Sequence, residues 1–292
     1  MGLPIAAHLA RGGHTLYVCN RSPQKVKELC EQFPHNVFPI LSSEEQDYSS
    51  AFNKIFSTVD VIISMLFDYY NIIKTIFEIP NLNLEGKYLI QMSTISVDQS
   101  KDLNERTEKV KGIFVECPVL GTNTTAQQAK LQVLLGCSEE VYKEVESWNV
   151  LQLIGSLRHV GEKPKAIKMK LSLNFLVGSL TGVFANALSV VQESELDVEM
   201  FMDIVRNSAF FFKYMDFKMP RMLSHDYKDM NFSVNGVVKD LTCVKEMANQ
   251  VNVNTRIVET ITGLYQEAAE RDEEIKGQED FVAIFEIMKK QK

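Results

Sequence analysis

The stretch GEKPKAIKMKLSLN (Gly161–Asn174) divides the chain into two halves of different character. Before it, short apolar segments alternate with polar segments of helical character. After it, a segment almost free of helix breakers continues to about residue 196 and is apolar on most faces, which predicts a long buried helix. We therefore expect an α/β domain over residues 1–160 and an all-helical domain over residues 161–292.

Six short apolar or β-branched segments predict strands in the first half. They are Thr15–Asn20, Val37–Ile40, Val61–Phe67, Tyr88–Met92, Ile113–Val119 and Leu131–Gly136. Helical segments such as Pro23–Gln32 and Val97–Lys111 separate some of them, and this alternation predicts a parallel sheet with helices on both faces. Further helices are predicted at Val198–Asn207, Phe212–Leu223, Val237–Gln250, Asn254–Arg271 and Asp280–Lys289.

The composition of this 292-residue chain argues against several classes of function. A net charge of -7 disfavours general nucleic-acid binding, which needs a basic face. The five cysteines are scattered, with no C-x-x-C pair, and predict reduced thiols rather than a disulfide framework or a metal site. No segment resembles a membrane span or a secretory signal, so we expect a cytoplasmic protein without a membrane partner.

Lys170 and Asn174 lie four residues apart at the start of the predicted long helix. At that spacing both side chains project from one face of the helix. An ammonium and an amide together suit a carbonyl group that must accept a proton while its other oxygens are held. Taken alone, the pattern favours the simpler interpretation that Lys168 and Lys170 are solvated lysines at a helix start.

The chain opens with MGLPIAAHLA (Met1–Ala10), which predicts a helix with Pro4 in its first turn. A dinucleotide-binding fold begins with a strand that leads into G-x-G-x-x-G, and here only Gly2 can belong to such a loop, as its last glycine. The first strand and two of the glycines are absent from this sequence. Two explanations are consistent with this absence: an initiation codon placed too late, or a truncated, inactive product. In either case the sequence as given predicts a gap in the sheet where the first strand would lie.

Asn20, Arg21 and Ser22 stand where a dinucleotide fold meets the adenosine ribose, about 20 residues after the glycine loop. A site for NAD(H) usually places Asp or Glu there. These neutral and cationic donors suit a 2′-phosphate instead, so the segment favours NADP(H) over NAD(H). The alternative interpretation is a surface turn, N-R-S-P, that only starts the next helix.

Segments spread over nearly the whole chain resemble the β-hydroxyacid dehydrogenase family, which includes 3-hydroxyisobutyrate dehydrogenase. The matching segments are Met1–Ala6, Val18–Ser22, Gln91–Thr94, Phe114–Val119, Gly161–Asn174 and Lys239–Asp240. The form K-M-K-L-x-x-N is most similar to the glyoxylate/succinic semialdehyde reductase branch and its animal nuclear-factor relatives. The resemblance implies a Rossmann-type NADP-binding domain that lacks its first strand, followed by an all-helical domain for substrate binding and oligomerisation.

This resemblance implies an NADPH-dependent reductase of a small aldehyde or keto acid, acting as a homo-oligomer (dimer or tetramer). Lys170 would be the general acid that protonates the carbonyl oxygen, and Asn174 would orient the substrate or the lysine. The implied cofactor-binding residues are Gly2, Asn20, Arg21, Ser22, Met65, Leu66, Thr94, Phe232, Lys239 and Asp240. For Met65 and Leu66 an ordinary place in the core is an equally good interpretation.

The segment expected to bind substrate departs from the family pattern. Leu120 replaces a serine whose hydroxyl helps to hold the substrate carboxylate, and Gly121 and Thr122 follow it. The lost charge-assisted hydrogen bond is worth about 1.5–3 kcal/mol, which Thr122 offsets in part. Leu120 therefore favours a less polar substrate or poor activity. It also supports the alternative that the chain is an inactive, NADP-binding oligomeric scaffold.

Overall fold

The computed structural model describes residues 1–40, 48–228, 230–271 and 277–289. The chain divides into two compact units, Met1–Lys170 and Leu171–Lys292. The first unit combines strands and helices, whereas the regular secondary structure of the described residues in the second unit is helical, apart from one isolated bridge. The division lies ten residues after the boundary that the sequence predicts.

The described residues of the first unit form eight strands and seven helices ahead of the long helix. The strands are β1 (Leu16–Val18), β2 (Val37–Pro39), β3 (Val61–Ser64), β4 (Tyr88–Gln91), β5 (Ile113–Glu116), β6 (Val119–Leu120), β7 (Leu131–Gly136) and β8 (Gly155–Gly161). The α-helices are α1 (Gly2–Arg11), α2 (Pro23–Gln32), α3 (Tyr48–Thr58), α4 (Tyr69–Ile72), α5 (Val97–Lys109), α6 (Asn123–Gln127) and α7 (Glu139–Ser147). A π-helical turn, Ile73–Phe77, follows α4, and a 3₁₀ turn, Leu151–Leu153, precedes β8.

These strands form two separate sheets. β1 and β2 pair in parallel, and the other strands form a second sheet in the order β3-β4-β5-β7-β6, with β8 beside β7. Among the described strands, none joins β1 to β3. A strand lying between these two is the one that the sequence analysis found missing, so the predicted gap in the sheet is present.

The larger sheet is mixed, which corrects the prediction of a parallel sheet. β3, β4 and β5 are parallel, but β7 runs antiparallel to both β5 and β6. A parallel return requires a crossover long enough to cover the strand. The connection from β5 to β7 contains only the short strand β6 and the five-residue helix α6, so the chain turns back instead. The sequence did not predict β8, which is parallel to β7.

One core holds α1 against the larger sheet. Ile5 and Leu9 are one helical turn apart and lie in the same cluster as Ile90, Val115 and Val133 of the central strands. All five side chains are buried. Because apolar residues four apart share a helix face, this packing fixes the direction of α1 and hence the position of its first residue, Gly2.

The second unit is built around the long helix α8 (Lys165–Glu193), which begins in the first unit. The other helices are α9 (Val198–Arg206), α10 (Tyr214–Ser224), α11 (Val234–Gln250) and α12 (Arg256–Glu270). Gly178 and Gly182 of α8 face Val237 and Ile261, and a Cβ atom at either glycine would lie 3.4 Å from its neighbour. Glycine at these two positions therefore allows α8 to pack closely against the helices that cover one of its faces.

The predicted helix Asp280–Lys289 is instead a 3₁₀ helix, Phe281–Ile287. It has seven residues, and the 3₁₀ conformation occurs mainly in such short segments. Asp280 caps it by accepting a hydrogen bond from the backbone N–H of Val282 at 3.3 Å.

Helix α8 also corrects the prediction that no segment resembles a membrane span. Over the described residues it is the one helix long and apolar enough to cross a bilayer, with a mean hydropathy of 1.5 in its most apolar window. Within that window 44% of the residues are buried in the protein itself. A helix in the core of a globular unit passes the same test, so the finding is weak evidence for a membrane.

Candidate cofactor and catalytic site

The carboxyl ends of β3 and β4 bring several predicted cofactor residues together. Met65 and Leu66 follow β3, and Thr94 follows β4. The backbone N–H of Leu66 donates a hydrogen bond to Ser93 Oγ at 2.8 Å, and Gln91 Nε2 donates to the carbonyl of Ser93 at 3.1 Å. Leu66 and Thr94 thus lie at neighbouring strand ends, the edge at which open α/β sheets bind ligands.

Gly2 begins α1 and lies against Met65. A Cβ atom added at Gly2 would be 3.8 Å from Met65 Cγ, which is ordinary van der Waals contact. No acidic residue occurs in the first turn of α1. The start of a helix offers backbone N–H groups and partial positive charge, so these residues fit one side of a dinucleotide pyrophosphate. The rest of the glycine loop is not in this sequence.

The predicted adenosine-binding turn follows β1. Asn20 and Arg21 are exposed, and Asn20 Nδ2 donates a hydrogen bond to the carbonyl of Ser22 at 3.3 Å. Ser22 is the N-cap residue of α2 with Pro23 after it, although its hydroxyl accepts no capping hydrogen bond. The segment is therefore a helix-initiating turn, as the simpler interpretation proposed. It also exposes a guanidinium, so the two interpretations are compatible.

Glu116 joins three elements at the start of the helix that carries Lys170. Its buried carboxylate accepts a hydrogen bond from Ser100 Oγ of α5 at 2.5 Å and from the backbone N–H groups of Ala166 and Ile167 at 3.2 Å. These are N–H groups of the first turn of α8, which have no partner within the helix. Burial raises the pKa of Glu116, and the hydrogen bonds oppose that shift.

Sequence analysis used Glu116 only as part of a matching segment and missed this role. The available signal was a single acidic residue within an otherwise apolar strand. A carboxylate in that position must find donors, because an isolated buried charge is costly. Its partners on α8 are 50 and 51 residues away in sequence. The sequence therefore predicts that Glu116 accepts hydrogen bonds, but it does not identify the donors.

Gly121 and Thr122 form the turn between β6 and α6. Gly121 has φ 145°, and a Cβ atom there would lie 2.4 Å from Thr125 Oγ1, so the position requires glycine. Thr122 caps α6, and its hydroxyl accepts a hydrogen bond from the Thr125 N–H at 3.3 Å. A hydroxyl that accepts still carries a hydrogen to donate, whereas the apolar side chain of Leu120 cannot donate one.

In the second unit three predicted residues meet. Asn174 Nδ2 donates a hydrogen bond to Asp240 Oδ2 at 2.5 Å, and Lys239 Nζ donates to Asp240 Oδ1 at 2.6 Å. Asp240 is 2% exposed. An ionised carboxylate only accepts hydrogen bonds, so this partner fixes the orientation of the Asn174 amide. The amide oxygen of Asn174 then remains an acceptor for another group.

Lys170 is half-buried and lies one turn before Asn174 on α8, about 6 Å along the helix axis. The helix that the sequence predicts is therefore present, and both side chains belong to one face of it. Phe232 lies elsewhere in the second unit. Its ring packs on Phe281 with 5.6 Å between centroids, and a Cβ atom at Gly236 would lie 2.7 Å from it.

Within the described ranges, no group of three or more His, Cys, Asp or Glu side chains is arranged to hold a metal ion.

The strand ends, the start of α1 and the basic turn together define a dinucleotide-binding unit, and comparison with known families agrees. Residues 1–163 match the family described as the NAD binding domain of 6-phosphogluconate dehydrogenase. Residues 165–288 match the family described as NAD-binding of NADP-dependent 3-hydroxyisobutyrate dehydrogenase. The protein is thus an NAD(P)-dependent oxidoreductase by class. More particularly, the chain belongs to the β-hydroxyacid dehydrogenase family, which confirms the predicted family and fold class.

Individual relatives are distant. Glyoxylate/succinic semialdehyde reductase 2 of Arabidopsis thaliana is 25% identical over 297 residues, covering 99% of this chain and 77% of the relative. The human cytokine-like nuclear factor N-PAC is 25% identical over 278 residues, covering 94% of this chain and 47% of the relative. The structure of 3-hydroxyisobutyrate dehydrogenase from Salmonella typhimurium superposes with a TM-score of 0.82 at 19% identity, covering 98% and 95% of the two chains. That likeness establishes the fold alone.

Proposed function

We propose that this protein is an NADPH-dependent reductase of a small aldehyde or keto acid, with Lys170 as its general acid. The observation that carries the proposal is the cluster of Asn174, Asp240 and Lys239, one helical turn after Lys170. A buried carboxylate that orients an amide beside a lysine suits the recognition of a polar substrate. The names of the plant relatives support glyoxylate or succinic semialdehyde as the substrate class.

Bound NADPH would supply a hydride to the substrate carbonyl carbon. The residues of the chain must then stabilise the negative charge that develops on the carbonyl oxygen. The Lys170 ammonium donates a proton to that oxygen, and a positioned acid of this kind contributes about 10²–10⁴-fold to the rate. The Asn174 amide oxygen accepts a hydrogen bond from a substrate hydroxyl or from the Lys170 ammonium, and so orients the substrate or the lysine. Thr122 donates a hydrogen bond to a substrate oxygen.

The exposed turn at Asn20–Ser22 supports NADP(H) over NAD(H), because Arg21 and its neighbours supply donors and no acidic side chain. A guanidinium pairs well with a phosphate, whereas the ribose hydroxyls of NAD(H) favour a carboxylate. We also propose that the enzyme is a homo-oligomer, as the resemblance to the family implies.

The first test replaces the proposed acid. Lys170→Ala should lower kcat for glyoxylate or succinic semialdehyde by about 10²–10⁴-fold, because the alkoxide loses its proton donor. The dissociation constant for NADPH, measured by fluorescence titration, should change less than about twofold, because a transition-state interaction is lost. Lys168→Ala, two residues earlier on the same helix, is the matched control and should keep its turnover. A Lys170→Ala enzyme that turns over normally would refute the assignment.

A second candidate function is a catalytically inactive, NADP-binding scaffold. Leu120 favours it, since the turn that should hold a substrate carboxylate has lost a donor. The match to part of a protein named as a nuclear factor is consistent with it. Wild-type protein that binds NADPH but reduces none of glyoxylate, succinic semialdehyde and methylmalonate semialdehyde would support the scaffold over the enzyme.

A further inference from the structure

The first turn of α8 finds its hydrogen-bond acceptors outside the helix. The N–H of Lys165 donates to the carbonyl of Glu162 at 3.0 Å. The N–H groups of Ala166 and Ile167 donate to Glu116 Oε2 at 3.2 Å. The first turn contains no acidic residue of its own. Glu116 of β5 therefore supplies the carboxylate that the start of a helix favours.

A second set of contacts holds the segment just before α8. Lys163 Nζ donates hydrogen bonds to Asn104 Oδ1 of α5 at 2.6 Å and to the carbonyl of Phe114 in β5 at 3.4 Å. Ser100 Oγ, also of α5, donates to the other carboxylate oxygen of Glu116. Helix α5 and strand β5 thus hold the chain both before α8 and in its first turn. We call Ser100, Asn104, Glu116 and Lys163 the α8 clamp.

We propose that Glu116 is a positioning residue for the reaction and that it acts through Lys170. This inference rests on the proposed function, in which Lys170 is the general acid. Ala166 and Lys170 are four residues apart on α8, so the N–H that Glu116 holds lies one turn before the Lys170 side chain on the same helix face. Because a misplacement of about 1 Å can lower a rate by about 100-fold, Lys170 needs a helix whose start is fixed.

The alternative is that Glu116 only stabilises the fold, as other helix caps do. Ser138 caps α7 in the same unit by accepting a hydrogen bond from the Val141 N–H at 3.3 Å. Loss of either cap should lower stability. Only the loss of Glu116 should also displace Lys170. Ser138→Ala is therefore the matched control for an effect on stability alone.

The first test compares two replacements of Glu116 of similar length. Glu116→Met should lower kcat for glyoxylate or succinic semialdehyde by about 10–100-fold, because the start of α8 is no longer held. Glu116→Gln should keep kcat within about threefold, because its amide oxygen accepts from α8 while its amide N–H donates to Ser100 Oγ. The dissociation constant for NADPH should change less than about twofold in both variants. Ser138→Ala should lower the urea midpoint and leave kcat unchanged.

The second test asks whether Glu116 acts through Lys170. In a Lys170→Ala background, Glu116→Met should lower the residual kcat by less than about twofold, because the group that Glu116 positions is absent. Ser100→Ala is a milder change in the same clamp and serves if Glu116→Met does not fold. It should lower kcat about threefold in the wild type and have no effect on kcat in the Lys170→Ala background.

The results distinguish a failure of this inference from a failure of the proposed function. A Lys170→Ala enzyme that turns over normally, or a wild type that reduces neither substrate, would overturn the proposed function and this inference with it. If Lys170→Ala lowers kcat but Glu116→Met lowers only the urea midpoint, the function stands and Glu116 is a structural cap. Equal losses from Glu116→Met in the wild type and in the Lys170→Ala background would likewise overturn the positioning role alone.

Discussion

At the scale of single residues, the exposed turn after β1 supports the proposed preference for NADP(H) over NAD(H). Arg21 is exposed beside Asn20, and the hydrogen bond from Asn20 Nδ2 to the carbonyl of Ser22 closes the turn. A guanidinium held on such a turn can form charge-assisted hydrogen bonds to a phosphate. The turn contains no carboxylate that would repel one.

Replacing Arg21 tests this preference. Arg21→Ala should raise KM for NADPH about tenfold or more, since a charge-assisted hydrogen bond is worth about 1.5–3 kcal/mol. KM for NADH should change little, because NADH carries no 2′-phosphate. Arg11→Ala removes an exposed guanidinium from the end of α1 and serves as the control. Equal effects of Arg21→Ala on the two cofactors would contradict the proposed contact.

Leu120 is the residue at which this chain departs from its family in the expected substrate turn. It is half-buried in β6, where its backbone pairs with Gln132 of β7. The neighbouring Gly121 is held at a φ that other residues rarely adopt. The turn is therefore well defined, and the change lies in the chemistry of one side chain.

Leu120→Ser should restore the missing hydroxyl. We expect kcat/KM for glyoxylate to rise about tenfold, because the hydroxyl donates a hydrogen bond to the substrate carboxylate. Leu120→Ala is the control, since it shortens the side chain without adding a donor. An aldehyde without a carboxylate, such as acetaldehyde, should gain nothing from the serine. A gain of the same size in the alanine variant would mean that size, not hydrogen bonding, limits the reaction.

At the scale of elements, the start of α8 is fixed by the end of β7 as well as by Glu116. A Cβ atom added at Gly136 would lie 2.6 Å from Glu116 Oε2 and 2.9 Å from the Cβ of Ala166. Real atoms do not approach so closely, so β7 needs glycine where Glu116 passes between it and the first turn of α8. This close packing holds the helix that carries Lys170.

Two glycine substitutions should therefore have opposite effects. Gly136→Ala should lower the free energy of unfolding by about 1–3 kcal/mol through overpacking. Gly263→Ala lies within α12, where an added Cβ atom meets nothing within 4 Å. It should raise the free energy of unfolding by about 0.5–1 kcal/mol, because alanine favours a helix over glycine. Urea denaturation measures both, and a neutral Gly136→Ala would show that β7 can move away from Glu116.

At the scale of the whole molecule, each unit contains its own buried polar network. In the second unit Asp280 is fully buried and accepts hydrogen bonds from Lys218 Nζ at 3.4 Å, Arg221 Nη1 at 3.1 Å and the backbone N–H of Asn231 at 3.0 Å. The Lys218 ammonium also lies 4.7 Å from the centre of the Phe281 ring. Burial lowers the pKa of Lys218, and its attraction to Asp280 opposes that shift.

Removing the Asp280 carboxylate should strongly lower the free energy of unfolding. Asp280→Ala should cost about 3–5 kcal/mol, because it leaves a buried ammonium unpaired. Adding Lys218→Met removes that ammonium, so the double variant should recover part of the loss. Hydrogen exchange should rise in α10 and around residue 231 but not in β3, β4 and β5, since the contacts of Asp280 given above lie in the second unit. A single variant as stable as the wild type would show that the network contributes little.

Much of the fold and some of the candidate site were predictable because they depend on local spacing. The sequence predicts α2 as Pro23–Gln32, with the bounds that the structure has. It also predicts the long helix, so it places Lys170 and Asn174 on one face. Helical periodicity and the positions of glycine and proline extend over a few residues, and a single chain displays them directly.

Only the tertiary structure decided which distant residues meet. Asn174 meets Asp240 across 66 residues, and Glu116 meets the start of α8 across 50. The antiparallel direction of β7 likewise follows from how the chain turns after β5, and hydrophobic pattern does not show strand direction. The sequence by itself determined many of the elements, the family and the candidate acid. Their partners were settled by long-range packing, since a buried carboxylate requires donors but does not specify which ones.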